Sequence, residues 1–479
     1  MNPKNLSKSL VLALAVVIVQ QVACSYRGYV PSYVSSRSRT AAAPVPSGGE
    51  RYQHHEETGF VSAASQPLST FSTDVDTAAY ANVRRFLLEG ERPPADAVRI
   101  EELVNYFDYD VPRPAADETL AITTEVARSP FGGERERLVR IALRAAAPRD
   151  FTARARHLVF LIDVSGSMAE PNKLPLLQDS LSSLLDHLAP SDTVALVTYA
   201  GSSGIQLEPT PARERERIER AIRGLSAGGS TNGEAGISLA YALASEDPDP
   251  RAIRRVILAT DGDFNVGLSD DASLIRKIEQ ERTRGVFLTV LGFGMGNLND
   301  AMMEQLADHG NGSYAYIDSL QEARRVLVQQ MNATLVPAAK DAKVQVELNP
   351  ARVARYRLIG YENRRLENRA FADDRKDAGD MGDGQTVTAL YQVELAEAAP
   401  NALASGALLT VRARYKRPDA ETSREVSASV DDAETVITQA SPDMRFATAV
   451  AGFGMLLTQS SWAGHFDLEA VDRLARGSV

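Results

Sequence analysis

Cysteine is all but missing from this chain. Cys24 is the only one in 479 residues, so no intramolecular disulfide can form and stability has to come from packing. Histidine is scarce as well: the six stand at 54, 55, 157, 187, 309 and 465, none at metal-ligand spacing. No GxxxxGK[ST] phosphate loop occurs anywhere. Positive charge is in deficit, with 52 Lys and Arg against 63 Asp and Glu and a formal charge of −11. The first 23 residues carry Lys4, Lys8 and no acid, so without them the charge is −13. Such a chain is a poor candidate for binding nucleic acid or anionic lipid through its general field. Lysine supplies only 8 of the 52 basic residues, which reflects genome composition rather than mechanism. Long apolar runs are absent too; LVLALAVVIV (10–19) is short for a membrane span.

What is present is ordinary globular material, 44% apolar and 24% charged, in a length that implies two or three folding units. The N-terminus reads as an export signal over residues 1–24, with MNPKNLSK as the positive region, the apolar run after it, and QVAC closing it. QVAC resembles the bacterial lipobox in Ala23 and Cys24, although Gln21 stands where an apolar residue is usual. Cys24 is therefore the candidate lipidation site, and the expected location is the periplasm or cell envelope, with a lipid anchor in a membrane. Residues 25–66 are rich in Ser, Pro, Gly and Ala without periodicity and read as a flexible tether.

From 156 to 335 the pattern is βαβα. HLVFLID, TVALVTYA, RVILATD, VFLTVLGFG and SYAYID are continuously apolar or β-branched, and amphipathic stretches such as KLPLLQDSLSSLLDHL and SLQEARRVLVQQMNATL separate them. Continuously apolar strands alternating with helices predict a doubly wound α/β domain with a parallel sheet. The flanks alternate instead. The stretches in 118–146 and in 343–416 predict a β-sandwich built from both sides of the α/β insert. Residues 75–107 and 434–476 read as helical and are expected to pack together. The expected boundaries are an N-terminal flank over 67–155, the α/β domain over 156–335, a β-rich region over 336–430 and a helical segment over 431–479.

In a doubly wound sheet, ligands bind at the carboxyl ends of strands where strand order reverses. LVFLID ends there with Asp163, and Ser165 and Ser167 follow in the loop; GGSTNG offers Thr231; RVILATD ends with Asp261. Two carboxylates and three hydroxyls are all oxygen donors, the set a hard dication prefers, Mg²⁺ above all and Mn²⁺ or Ca²⁺ as alternatives. With at most two negative charges facing it, the ion keeps an open position that a partner's Glu or Asp can complete.

DVSGS, the Thr of the second loop and the Asp of TDG resemble the metal-ion-dependent adhesion site of von Willebrand factor type A domains. The resemblance covers about 157–335 and implies that Asp163, Ser165, Ser167, Thr231 and Asp261 hold the metal. STDVDTAAYANVRRFL, VRIEELVNYFDY, IGYENR and FADDRKDAGDMGDGQTVTALYQVE extend it to bacterial YfbK-like proteins, which carry a type A domain between characteristic flanks. By that resemblance a further helix is expected beyond DRLARGSV. The expectation is a noncatalytic protein-binding module, with a metal-assisted hydrolase or an ion-stabilised structural protein as alternatives. The hydrolase lacks an evident general base, because the available acids are taken as ligands.

Several weaker signals have structural readings. Ser165 and Ser167 have a second reading as helix caps, and Asp163 one as a buried, hydrogen-bonded acid. Asp74-Val75-Asp76-Thr77 resembles a phosphatase nucleophile loop but follows no buried strand, so Asp and Thr are read as starting a helix. DGDFN lacks the Gly and Glu of a calcium loop, holding Val266 and Ala272 there; Asp263 remains as support for Asp261. Ser165 lies in Asp-Val-Ser-Gly-Ser rather than in a nucleophile elbow. GFGMGN is read as a rim loop, and Met295, Phe293 and Phe264 are either apolar contacts around the metal or internal packing.

Overall fold

Two kinds of apolar patterning fold here into two kinds of sheet. The computed structural model describes residues 49–478 except 116, 149–153, 230–232, 247–248, 250, 263–270, 331–332, 334, 375–377 and 398–405. The N-terminal flank starts before the expected residue 67: the end of the stretch read as a tether is packed on the fold, through the Glu50–Arg85 ion pair and through β1 (Val61–Ser62), which pairs with Tyr356 and Arg355. The flank continues with β2 (Leu68–Ser72), α1 (Ala78–Leu88), α2 (Ile100–Asn105), β3 (Leu120–Arg128) and β4 (Glu136–Ala145). The α/β unit follows as β5 (Arg156–Asp163), α3 (Leu174–Leu185), β6 (Thr193–Tyr199), β7 (Ser203–Pro211), α4 (Arg215–Arg223), α5 (Gly233–Ser245), β8 (Ile253–Thr260), α6 (Asp271–Thr283), β9 (Val286–Phe293), α7 (Asp300–His309), β10 (Tyr314–Ile317) and α8 (Leu320–Arg324). The chain then adds β11 (Pro337–Leu348), β12 (Val353–Ile359), β13 (Arg365–Leu366), β14 (Met381–Gly382), β15 (Thr386–Leu395), β16 (Leu409–Lys416), β17 (Ser423–Val430), α9 (Pro442–Thr458) and α10 (Leu468–Arg476).

The continuously apolar strands form one sheet in the order β10-β9-β8-β5-β6-β7. It is parallel except for β7, which runs antiparallel to β6 along the edge. Helices cover both faces: Ile237 and Tyr241 of α5 lie against one, Leu177 and Leu181 of α3 against the other. Because the chain leaves β5 for β6 on one side and returns to β8 on the other, strand order reverses at the carboxyl end of β5.

Two elements of this unit were not foreseen. β7 (SGIQLEPTP) carries two prolines and buries only Leu207 and Thr210, so it has no buried apolar run to betray it, and an edge is where prolines are tolerated. α7 is capped by Asn299, whose side chain accepts from the Met302 amide at 3.4 Å, and ends at Gly310; between them Met303, Leu306 and Ala307 make a short buried face at helical spacing. The last helix also departs from the expected continuous one. α8 gives way to a π turn over Arg325–Gln329, in which Arg325 donates to the Thr77 hydroxyl at 2.9 Å and lies 3.9 Å from the Tyr106 ring centroid. A wider turn at that point serves contacts with the flank rather than helix propensity.

The alternating stretches build two antiparallel sheets, β1-β12-β15-β4-β3 and β13-β2-β11-β16-β17, with β14 paired to β11. Their facing residues share one core, including Phe71, Val139, Ile141, Val346, Tyr391 and Val411, so the sandwich draws strands from both sides of the insert. The outer face of the first sheet, at Leu138, Ala142 and Leu390, is covered by α1, α2, α9 and α10 through Leu103, Phe446, Val450, Phe453 and Val471. Gly454 permits the close crossing of α9 and α2, since a Cβ there would meet Ile100 at 3.0 Å.

Buried charge locks the modules together. The Arg364 guanidinium, in the β12–β13 connection, lies 3.2 Å from Asp76, 3.0 Å from Glu304, 2.7 Å from Asp308 and 3.6 Å from Asp74. Arg99 pairs with Glu102 and, at 2.5 Å, with Asp300. Contrary to the sequence reading, the DVDT stretch does follow a strand, β2, whose Thr70, Phe71 and Ser72 are buried; the acids are nonetheless explained by this network. Asp76 accepts from the Tyr314 amide at 2.7 Å and from Arg364, while Thr77 makes no side-chain cap for α1. The cap comes from Glu102, which accepts from the Ala79 amide at 2.9 Å.

Next to this network, burial and the neighbouring Glu362 and Glu102 push the Glu101 carboxyl up to about 7. Between the ordinary glutamate range and that value, the folded chain holds a proton that the unfolded chain has released, so stability falls as pH rises through the window. Glu101→Gln is expected to flatten that slope, raising stability at pH 8 relative to the parent by up to roughly 3 kcal/mol. Urea midpoints at pH 5 and pH 8 check this.

Candidate metal centre

β5 is buried along nearly its whole length and paired in register with β6 and β8, which fixes its last residue at the switch point. That residue, Asp163, is fully buried. Its carboxylate accepts from the Ser165 amide at 2.8 Å, the Tyr199 hydroxyl at 3.2 Å and the Thr260 hydroxyl at 3.4 Å. The Ser165 bond closes a tight turn that aims the following hydroxyls at the sheet edge. Ser165 and Ser167 do not act as caps: Ser165 precedes a single 3₁₀ turn (Gly166–Ala169) with no side-chain cap. Their oxygens instead lie 3.0 Å apart, Ser165 buried and Ser167 exposed. Asp261 follows β8 and is fully buried.

Burial pushes the Asp163 carboxyl up, against hydrogen bonds from Ser165, and the nearby Asp261 charge adds to the rise. Burial acts on Asp261 in the same sense, but hydrogen bonds from Ser167 and Asn297 and the Lys173 ammonium outweigh it and leave that carboxyl below its ordinary range. Asp163, Ser165, Ser167 and Asp261 thus form an unbroken chain of oxygen contacts at one sheet edge. Four oxygen donors, two of them carboxylates, fit a hard divalent cation. The second loop docks on the first through its backbone, Gly228 donating to Val164 at 2.7 Å and Gly166 to Gly229 at 3.1 Å. Thr231, next in that loop, lies outside the described residues, as do Asp263, Phe264 and Cys24.

Gly262 supports the third loop. Its φ is +95°, and a Cβ would stand 2.5 Å from the Asn299 amide nitrogen. Gly262→Ala is expected to cost about 2 kcal/mol or more, read as a lower denaturant midpoint, with the loss of metal binding following from displacement of Asp261.

Sequence reading missed Lys173, Tyr199, Thr260 and Asn297. The Lys173 ammonium is 3.1 Å from Asp261, its side chain 4% exposed. The only signal was a basic residue at the start of a helix, where the macrodipole disfavours it. In the GFGMGN loop, Gly294 (φ +77°) closes over the Lys173 stem, and the Tyr316 hydroxyl donates to its carbonyl at 2.5 Å. Phe293 belongs to the core, whereas Met295 is 40% exposed. Among the described residues, the carboxylates that lie closest together as a trio are elsewhere, at Asp76, Glu102 and Glu304. Arg99 and Arg364 pair with those three, so they belong to the module interface. A cavity of about 940 Å³ is also elsewhere, near the amino ends of β9 and β10 at Phe287 and Ser313.

This fold and edge define a von Willebrand factor type A domain, a class that commonly binds a divalent metal and often binds partners through it. A profile described as von Willebrand factor type A domain matches residues 158–263, and one described as von Willebrand factor matches 46–140. The profile for the C-terminal region of uncharacterized protein YfbK matches 333–479. Uncharacterized protein YfbK of Escherichia coli (strain K12) is 40% identical over 467 residues, 93% of this chain and 80% of that protein. The chain belongs to the YfbK family of type A domain proteins. Human inter-alpha-trypsin inhibitor heavy chain H4 is 29% identical over 203 residues, 40% of this chain and 22% of that protein. A solved von Willebrand factor type A protein from Catenulispora acidiphila is 17% identical and covers 71% of this chain and 80% of its own, with a TM-score of 0.43.

Proposed function

We propose that this protein is a noncatalytic, exported binding module that holds a divalent cation, Mg²⁺ by preference, and uses it to bind a Glu or Asp side chain of a protein partner. Asp163, Ser165, Ser167 and Asp261 hold the ion with Thr231 of the second loop, and Asp263 supports Asp261. A lipid on Cys24 keeps the module at an envelope membrane, and the segment between carries it away from that surface. The observation that carries this reading is the oxygen cluster at the carboxyl end of β5, where Ser165 and Ser167 meet at 3.0 Å between two carboxylates.

The test is capture from an envelope extract of the source organism on immobilised protein, in Mg²⁺ and in EDTA, with retained proteins identified by mass spectrometry. A protein held in Mg²⁺ and released by EDTA is the expected result. Equal retention in both, together with a melting temperature that EDTA lowers, makes the ion a structural part and the reading wrong.

A further inference from the structure

We infer that Lys173 is a fixed positive charge of the metal centre, which keeps its affinity for a bare dication low and couples cation binding to arrival of the partner carboxylate. This deepens the proposed function and rests on it.

The position of the ammonium is imposed from several sides. Nζ lies 3.1 Å from Asp261 Oδ2 and 3.7 Å from Glu170 Oε2. The stem packs directly on Gly294, where a Cβ would overlap Lys173 Cε. The backbone is pinned as well, its amide donating to the Glu170 carbonyl at 3.0 Å and its carbonyl accepting from Leu177 at 2.9 Å. Helix propensity does not account for a lysine here, because it stands at the N-terminal end of α3. Its partner Asp261 does.

Charge then decides the behaviour. Glu170 is 61% exposed and its charge is screened by solvent, so the buried charges of the centre are the Asp163 and Asp261 carboxylates and the Lys173 ammonium, which sum to one negative charge. A dication turns that into one positive charge in a buried place, where an uncompensated charge is costly. A third carboxylate, from the partner, returns the centre to neutrality. Without the lysine, the two carboxylates alone would neutralise the ion and a partner would add excess negative charge. The ammonium therefore opposes the ion and favours the anion, and linkage makes each raise the affinity of the other.

The test is Lys173→Met, which keeps an apolar stem of similar length without the charge, with Lys173→Gln as a second variant. Mn²⁺ alone is titrated by calorimetry into the parent and both variants, then again with acetate as the carboxylate probe. The variants are expected to bind Mn²⁺ roughly ten-fold or more tightly than the parent. Acetate is expected to raise Mn²⁺ affinity more in the parent than in either variant. If the parent binds Mn²⁺ and the variants bind it equally or more weakly, with melting profiles unchanged, this inference is wrong while the metal centre stands. If none of the three binds Mn²⁺, the metal centre itself is wrong and the inference goes with it.

Discussion

Asp163→Ala is expected to abolish cation-dependent capture, lowering cation affinity roughly a hundred-fold or more while the sheet stays folded. Loss of groups that only orient metal ligands already costs ten- to a hundred-fold in affinity, so removing a direct carboxylate donor costs at least as much. The structural cost is bounded. Asp163 accepts from Tyr199, Thr260 and the Ser165 amide; the two hydroxyls also interact with each other, so the Ser165 amide is the donor left without its partner when the carboxylate goes. One such buried donor costs about 1–3 kcal/mol, offset in part because burial and the Asp261 charge already oppose the Asp163 carboxylate. The variant should therefore melt a few degrees from the parent in EDTA and separate further from it when Mg²⁺ is added. Asp163→Asn, which keeps the shape and the turn acceptor, is expected to lose most of the affinity too, because the charge is what the ion requires. If either variant binds Mn²⁺ as tightly as the parent, Asp163 is a structural acid and the centre is wrongly drawn.

The second large effect lies away from the metal. Arg364→Ala removes the cation that faces Asp76, Glu304, Asp308 and Asp74, all within 3.6 Å. Breaking a buried pair by deleting one partner leaves an uncompensated charge and costs roughly 3–5 kcal/mol. Burial already pushes the Asp74 and Asp76 carboxyls up with the arginine present, and they rise further without it. In the variant, more protons are held in the folded state, so its deficit should narrow at pH 5 and widen at pH 8. Arg412→Ala is the control: its contact with Glu347 is half-exposed, and about 0.5 kcal/mol or less is expected. Denaturant midpoints for the two variants at both pH values check the contrast. Equal losses in both would mean that the module interface is not held by this network.

How much of this was legible in the sequence depended on whether the signal was local. β5, β6, β8, β9 and β10 announce themselves because strands buried on both faces need unbroken apolar runs, and the flanking strands alternate because the outward face of a sandwich need not be apolar. Asp163, Ser165 and Ser167 could be read because a strand that ends in an acid and two hydroxyls places its donors within one turn of chain. Asp261 followed from the same logic at β8. Lys173 and Asn297 could not be read, since what matters is that they meet Asp261 across loops 88 and 36 residues apart in sequence. The interface network was hidden for the same reason: nothing in DVDT or IGYENR reveals that Asp76 and Arg364 meet in the interior. β7 and α7 escaped for a different reason, one being an edge strand with little burial and the other a short helix whose apolar face spans only Met303, Leu306 and Ala307.

Whether the oxygen cluster at the end of β5 holds an ion is measured directly by equilibrium dialysis of the parent protein against Mn²⁺. The predicted result is one Mn²⁺ per chain, displaced by Mg²⁺ and lost in Asp163→Ala. No bound Mn²⁺ at millimolar concentration, or binding unaffected by Asp163→Ala, would contradict it.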